Sequence, residues 1–362
     1  MRILLIGHGA LFSTYDIYNY YKLALKKCVE SVKTFPYHDA LDYHARAIKS
    51  DKYLSLTEAQ IGRQTVMSAS RDIITEIMLY EPSIVLFVSG LMIPPIIAKA
   101  VYHLRNQLIQ EARYKIGYIF TESPYQDMDQ EPYIDLCDFC FMNDALSVEK
   151  YNPNKDKYID FLPHSYSPET HYISEKEEKT TDVIFCGTLY PNRMALFSAV
   201  DWSGIDIMLY GAIGIYENSD VPVNIRNIIM GNNLDNSVLA EHYRHSKLSI
   251  NAHRQTRNID DHTIIAGNGM NPRIRESIMC GCLPITDYRQ EIKDVFGDVI
   301  PFFDGSEELE NKVRHFLHND EERSNRLQIA MNICKKDTYE NRCNEIILPV
   351  CREVEKVVWQ KS

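Results

Sequence analysis

The 362 residues are too many for one ordinary domain and suit two, each large enough to bury its own core. Hydrophobic residues make up 45% and charged residues 25%, which sets aside a disordered or fibrous chain. A formal net charge of −11 excludes a global basic field that would gather nucleic acid non-specifically, while a basic groove on one face stays open.

The chain begins with Met1-Arg2-Ile3-Leu4-Leu5-Ile6-Gly7, an apolar run stopped by glycine. It is too short for a signal peptide's apolar region plus a cleavage site and predicts a first buried strand. Short apolar runs of this kind recur at 3–6, 84–88, 116–120, 139–142, 183–185, 207–210, 248–251 and 283–286. Continuous rather than alternating apolar runs suit strands buried on both faces of a parallel sheet. Between them, helical periodicity predicts helices over 18–32, 70–79, 96–108, 273–280 and 309–317. The alternation defines βαβ units and an α/β class. A charged stretch, Glu175-Lys176-Glu177-Glu178-Lys179, followed by Thr180-Thr181-Asp182, has no apolar face and precedes a fresh strand. It divides the chain into a domain over 1–174 and a second over 182–346. An amphipathic helix over 347–358 closes the chain, and residues 347–360 are expected to pack back on the first domain.

Nine cysteines without framework spacing fit reduced thiols. Cys137 and Cys140 stand at CxxC spacing, but no second ligand pair accompanies them, so core packing is expected and no metal site. No stretch approaches 18 uncharged apolar residues, so no spanning helix and a soluble, cytoplasmic protein are expected. The oligomeric state is not legible.

Ligands of open parallel sheets bind beyond the carboxyl ends of the strands, so residues just after strands carry the interest. The richest such segment is Asn268-Gly269-Met270-Asn271-Pro272-Arg273-Ile274-Arg275-Glu276. Pro272 at the first helical position, with Asn271 as its cap, predicts a helix start. Free backbone N–H groups beside Arg273 make an anion site suited to a diphosphate. Glu276, one turn on, can accept from both hydroxyls of a ribose. Gly187-Thr188-Leu189-Tyr190-Pro191-Asn192-Arg193 follows the strand at 183–185. Gly187 admits close approach, Thr188 can donate to a phosphate oxygen, and Arg193 can chelate one. Tyr243–Lys247 and Asn251–Arg257 add local positive charge, with His253 just past a strand end and facing the ligand. In the first domain, Gly7-His8-Gly9 is no GxGxxG fingerprint, since Phe12 holds the third glycine position, and no nicotinamide cofactor is implied. The glycines around His8 let a substrate approach. Glu122 in Thr121-Glu122-Ser123-Pro124-Tyr125 lies where a carboxylate can act as general base on an acceptor hydroxyl.

Three stretches together, Thr121–Tyr125, Asp182–Thr188 with Arg193, and Asn271–Gly281, resemble the CgeB-like (spore-maturation) glycosyltransferases, a branch of the GT-B superfamily related to the group 1 transferases. The resemblance is strongest over 116–345. It implies two Rossmann-like domains facing across a central cleft and a metal-independent glycosyltransferase. The donor would be a nucleoside-diphosphate sugar, with UDP-sugar the leading candidate. Carried over, Arg193 and Arg273 face the diphosphate and Glu276 the ribose. Many relatives carry a second acidic residue eight positions before that glutamate, where this chain has Asn268. The acceptor would be a carbohydrate or cell-surface polymer, or a hydroxymethylated base of phage-type DNA. Two other readings remain: a silent nucleotide-sugar-binding module, and a sugar-nucleotide epimerase.

Overall fold

The computed structural model describes residues 1–7, 13–50, 55–90, 92–109, 113–154, 158–174, 178–213, 221–232, 234–256, 264–265 and 267–356. They form two compact units: Met1–Pro163 with Tyr339–Ser362, and His164–Thr338.

In the first unit the order is β1 (Arg2–Ile6), α1 (Ser13–Cys28), β2 (Ser31–Phe35), α2 (Tyr37–Ser50), α3 (Glu58–Tyr80), β3 (Ile84–Val88), α4 (Pro95–Gln107), β4 (Lys115–Phe120), α5 (Asp127–Ile134), β5 (Phe139–Met142), α6 (Ala145–Tyr151) and β6 (Tyr158–Phe161). The strands are parallel, in the order β2-β1-β3-β4-β5-β6. β3, β4 and β5 are buried along their whole length, as continuous apolar runs require of strands covered on both faces. The helix expected over 18–32 stops at Cys28, because Ser31–Phe35 pairs with β1 as an edge strand. Three β-branched or aromatic residues in that stretch, Val32, Thr34 and Phe35, favour the pleated backbone.

The second unit runs β7 (Thr181–Cys186), α7 (Pro191–Ala199), β8 (Ile207–Tyr210), α8 (Val223–Arg226), β9 (Ile229–Gly231), α9 (Asn236–His245), β10 (Ser246–Asn251), α10 (Pro272–Met279), β11 (Leu283–Asp287), α11 (Gln290–Phe296), β12 (Phe302–Phe303), α12 (Gly305–His318) and α13 (Asp320–Cys334). Its parallel sheet has the order β12-β11-β10-β7-β8-β9. Val183, Phe185, Leu248, Ile250, Leu283 and Ile285 face one core. Residues 164–174, assigned to the first domain on sequence grounds, belong here, so the units part upstream of the charged stretch. The Tyr166 N–H donates to the Asp337 carbonyl at 3.1 Å, and Tyr166 bridges Thr338 in parallel. This backbone pairing, across about 170 positions of chain, holds the segment against the end of the same unit.

From Tyr339 the chain returns to the first unit through α14 (Tyr339–Arg342), a π-helical turn at Cys343–Ile347 and α15 (Leu348–Lys356). The Tyr339 ring lies 5.2 Å from that of Tyr20 and 4.9 Å from that of Tyr21, and Ile347, Leu348, Cys351 and Val354 join Ile3 and Leu5 in one cluster. Cys140 is buried in the core and Cys137 half-buried at its margin, without a disulfide. Among the described residues no helix is long and apolar enough to cross a membrane.

Candidate functional site

Strand order in the second unit reverses between β7 and β10, the topological switch point at which a crevice opens beyond the strand ends. Gly187 follows β7 there. Its N–H donates to the Tyr210 carbonyl at 2.8 Å. A Cβ on Gly211 would meet the Gly187 carbonyl oxygen at 2.0 Å, so glycine at 211 is needed for the two turns to touch. The chain then enters α7 with Pro191 in its first turn, which carries Arg193 back over the site.

Arg193 is 4% exposed. Its Nε donates to the Ala252 carbonyl at 2.8 Å and Nη1 to the Thr188 carbonyl at 2.7 Å, while the guanidinium lies over the rings of Tyr190 and Phe185 at 5.4 and 5.5 Å. Burial, and then the charge of Arg273, lower its pKa to about 9. Arg273, in the first turn of α10, donates from Nη1 to the Cys186 carbonyl at 3.0 Å. A Cβ on Gly187 would stand 2.7 Å from Nη1 of Arg273 and 3.3 Å from Nη1 of Arg193. The two guanidinia thus converge on the glycine. Neither makes a salt bridge among the described residues. Two like charges held together by carbonyl oxygens alone are an arrangement that a bound anion completes.

Asn271 precedes Pro272 as expected, but its side chain does not cap α10. Its Nδ2 donates instead to Asn251 Oδ1 at 2.6 Å, and Asn251 Nδ2 donates to Thr286 Oγ1 at 3.0 Å. The amide is drawn toward the end of β10, and the first N–H groups of the helix are left without a side-chain acceptor. Such a terminus favours an anion.

Glu276 sits one turn further, 3% exposed. Asn236 Nδ2 donates to its Oε1 at 3.0 Å, and His171 Nε2 lies 3.8 Å from the same oxygen. Burial raises the Glu276 carboxyl to about 7, with Asn236 and Arg273 pulling the other way. His171 is itself lowered to about 4 by burial. The second carboxylate oxygen has no hydrogen-bond partner among the described residues.

Thr188 is half-buried, and its carbonyl is occupied by Arg193. His253 follows β10 and pairs with Asp287 at 2.6 Å. The structure therefore brings Gly187, Thr188, Arg193, His253, Asn271, Arg273 and Glu276 to one edge of one sheet. The positive charge of 243–247 does not join them: these residues precede β10 or begin it, which puts them at the opposite edge. Lys247 pairs with Asp182 at 2.8 Å, and the Arg244 guanidinium lies over Tyr172 at 4.5 Å. Arg257 lies outside the described residues.

In the first unit the strand order reverses between β1 and β3. His8 follows β1 but lies outside the described residues. Glu122 follows β4, half-buried, in a turn that Asn143 fixes from both sides: the Ser123 N–H donates to Asn143 Oδ1 at 2.9 Å, and Asn143 Nδ2 donates to the Ser123 carbonyl at 3.0 Å.

Two doubly wound parallel sheets, one with its anion-ready turn after the first strand, have counterparts among solved structures. Sucrose-phosphate synthase of Thermosynechococcus elongatus is similar over 98% of this chain and 98% of its own, with a TM-score of 0.64 at 9% identity. HepE of Anabaena, in complex with UDP-glucose, is similar over 96% and 100%, with a TM-score of 0.61 at 10% identity. Phage T4 BGT with its UDP-glucose substrate is similar over 99% and 100%, with a TM-score of 0.60 at 14% identity. The fold is GT-B. Residues 193–347 also match the family described as "Glycosyl transferase-like". No curated protein matches the chain.

On the GT-B frame, sequence reasoning assigned no role to Asn236, His171, Gly211 and Asp287, and named Asn251 only as the start of a positively charged segment. Gly211 and Asp287 carried a signal, since both stand at strand ends. Asn236 and His171 reach Glu276 from 40 residues or more away, across a separation that no local pattern reveals.

Proposed function

We propose that the protein is a glycosyltransferase that takes its sugar from a nucleoside-diphosphate sugar, with the donor held by the second unit. The observation that carries this is the pair Arg193 and Arg273, converging on Gly187 with no salt bridge to either among the described residues. A diphosphate supplies the missing negative charge, and as the glycosidic bond breaks the same guanidinia and the open end of α10 stabilise the charge growing on the leaving group. Arg193, Arg273 and the end of α10 place positive charge there, and on that ground the reaction is read as metal-independent. Glu276 takes the ribose hydroxyls through its unengaged oxygen. Glu122 acts as base on the acceptor hydroxyl, and His8 is the second catalytic candidate of the first unit. The motifs shared with the CgeB-like branch support this assignment of roles.

UDP is the preferred nucleotide, since UDP-glucose occupies HepE and phage T4 BGT. For the acceptor, a carbohydrate is the first reading. A modified base in DNA is the second, favoured by the likeness over nearly the whole chain to a DNA-modifying β-glucosyltransferase and opposed by the net charge of −11.

A thermal-shift screen of UDP, GDP, ADP and their sugars tests the donor. One diphosphate raises the melting temperature in proportion to its affinity and concentration, and Arg273→Ala loses the shift. No stabilisation by any of them removes the reading. Release of that diphosphate in the presence of oligosaccharides or of hydroxymethylated DNA then separates the two acceptors.

A further inference from the structure

The buried His253 and the half-buried Asp287 form a pair at the ends of the adjacent strands β10 and β11. His253 Nδ1 lies 2.6 Å from Asp287 Oδ1, and the His253 backbone N–H donates to the same oxygen at 3.0 Å. Burial would raise the Asp287 carboxyl, but His253 and Arg289 hold it below the usual carboxylate range. An ionised carboxylate only accepts, so Nδ1 carries the proton of the neutral ring and Nε2 its lone pair. Nε2 is inaccessible to solvent, in a residue only 5% exposed, and has no hydrogen-bond partner among the described residues.

The backbone at His253 is tied to the arginine site. The His253 carbonyl accepts from Asn192 Nδ2 at 3.2 Å, and the preceding Ala252 carbonyl accepts from Arg193 Nε at 2.8 Å. The charged groups acting on the ring are Asp287 and Arg289, at and just beyond the end of β11, and Arg273 from α10. Burial comes first and lowers its pKa; Asp287 pulls upward, and the two arginines push down again. A lone pair turned on a phosphate oxygen would repel it, whereas an N–H there would complete both groups.

We propose that His253 takes up one proton from solvent when an anionic diphosphate binds beside Arg193 and Arg273, so that Nε2–H donates to a phosphate oxygen while Asp287 holds Nδ1–H. Asp287 is then a positioning residue and His253 a direct ligand of the phosphate. The inference rests on the donor site proposed above and adds to it a protonation step. The negative charge of the diphosphate offsets the arginines, which leaves Asp287 to hold the second proton on the ring.

The test is calorimetric titration of the full chain at about pH 7.5 in two buffers of unlike ionisation enthalpy. The probe is the diphosphate sugar selected by the thermal screen, beginning with UDP-glucose, whose diphosphate has no ionisation of its own near that pH. Wild type takes up about one proton per sugar nucleotide bound, and its affinity falls up to about tenfold per pH unit at higher pH. His253→Gln binds without that uptake, and its affinity no longer falls above about pH 8, where Glu276 is already ionised. Asp287→Asn binds with reduced uptake. Ring-nitrogen NMR of wild type, which needs no variant, shows the ring passing from the neutral Nδ1–H form to imidazolium on binding. Binding without proton uptake, uptake that persists in His253→Gln, or a ring that stays neutral in the complex overturns the inference while the donor site stands. If no diphosphate sugar binds, the donor site itself falls and this inference with it.

Discussion

Arg193 Nε donates to the carbonyl of Ala252 at 2.8 Å, tying the start of α7 to the end of β10 across the switch point of the second sheet. Arg193 is thereby both a wall of the site and a brace between two elements, whereas Arg273 makes a single hydrogen bond among the described residues, to the Cys186 carbonyl. Arg273→Ala should therefore lower affinity for the diphosphate by about 10- to 100-fold, the worth of one or two hydrogen bonds to a charged group, with little change in melting temperature. Arg193→Ala should lower both, because two buried carbonyls lose their donor. Titration calorimetry and thermal melts of the two variants, side by side, check the contrast; equal losses of stability would refute it.

Glu276 gives a pH dependence whose sign follows from its environment. Its carboxyl ordinarily titrates at 4.5 and is raised to about 7 in the folded protein, chiefly by burial. The folded state thus binds this proton more tightly than the unfolded state does. The contribution of Glu276 to stability falls as pH rises from about 4.5 to about 7 and is level above that. Glu276→Gln keeps the shape and the acceptor for Asn236 without the buried charge. It should be more stable than wild type at about pH 8, by about 3 kcal/mol at most, with the difference closing toward pH 4.5. It should also bind the donor at least about tenfold more weakly, since an amide cannot accept from both ribose hydroxyls. Denaturant melts at several pH values and donor titrations read the two effects separately.

Gly211 and Gly231 offer a matched pair. A methyl on Gly211 would stand 2.0 Å from the Gly187 carbonyl oxygen, which is backbone and cannot swing aside, whereas a methyl on Gly231 would meet nothing within 4 Å. Gly211→Ala should cost about 2 kcal/mol or more and displace the Gly187 turn, so that donor binding falls with stability. Gly231→Ala should be neutral or gain about 0.5 kcal/mol through the unfolded chain. Chemical denaturation midpoints decide it.

The parts of this molecule that are legible in the sequence are those governed by local chemistry. Strands such as Ile84–Val88, buried on both faces, announce themselves as unbroken apolar runs, and Pro272 with Arg273 marks the start of α10. Edge strands escape: Ser31–Phe35 is half-buried throughout, so its alternation is weak and the preceding helical period overruns it. In the site, the arginines and Glu276 stand out because each follows a strand end or a helix start. The pairings do not, since Asn236 reaches Glu276 from 40 positions away and His253 meets Asp287 34 positions away. Asn271 shows the limit from the other side: its residue type predicts a cap, but Asn251, 20 positions back, accepts from its amide nitrogen and turns the side chain away from the helix N–H groups.

Glu122 tests the catalytic half of the proposal. It stands directly after β4, in a turn that Asn143 pins through both the N–H and the carbonyl of Ser123, so a substitution at Glu122 leaves the turn's own hydrogen bonds in place. A general base contributes about 10²- to 10⁴-fold to the rate without holding the nucleotide. Glu122→Gln should accordingly lower kcat for transfer by that order while the affinity for the diphosphate, measured directly, stays within about twofold of wild type. Steady-state kinetics with the acceptor found active in the screen, paired with nucleotide titrations, separate this from a structural role, in which melting temperature and affinity would fall together. A Glu122→Gln enzyme with unchanged kcat would move the base to another residue of the first unit and leave the donor site of the second untouched.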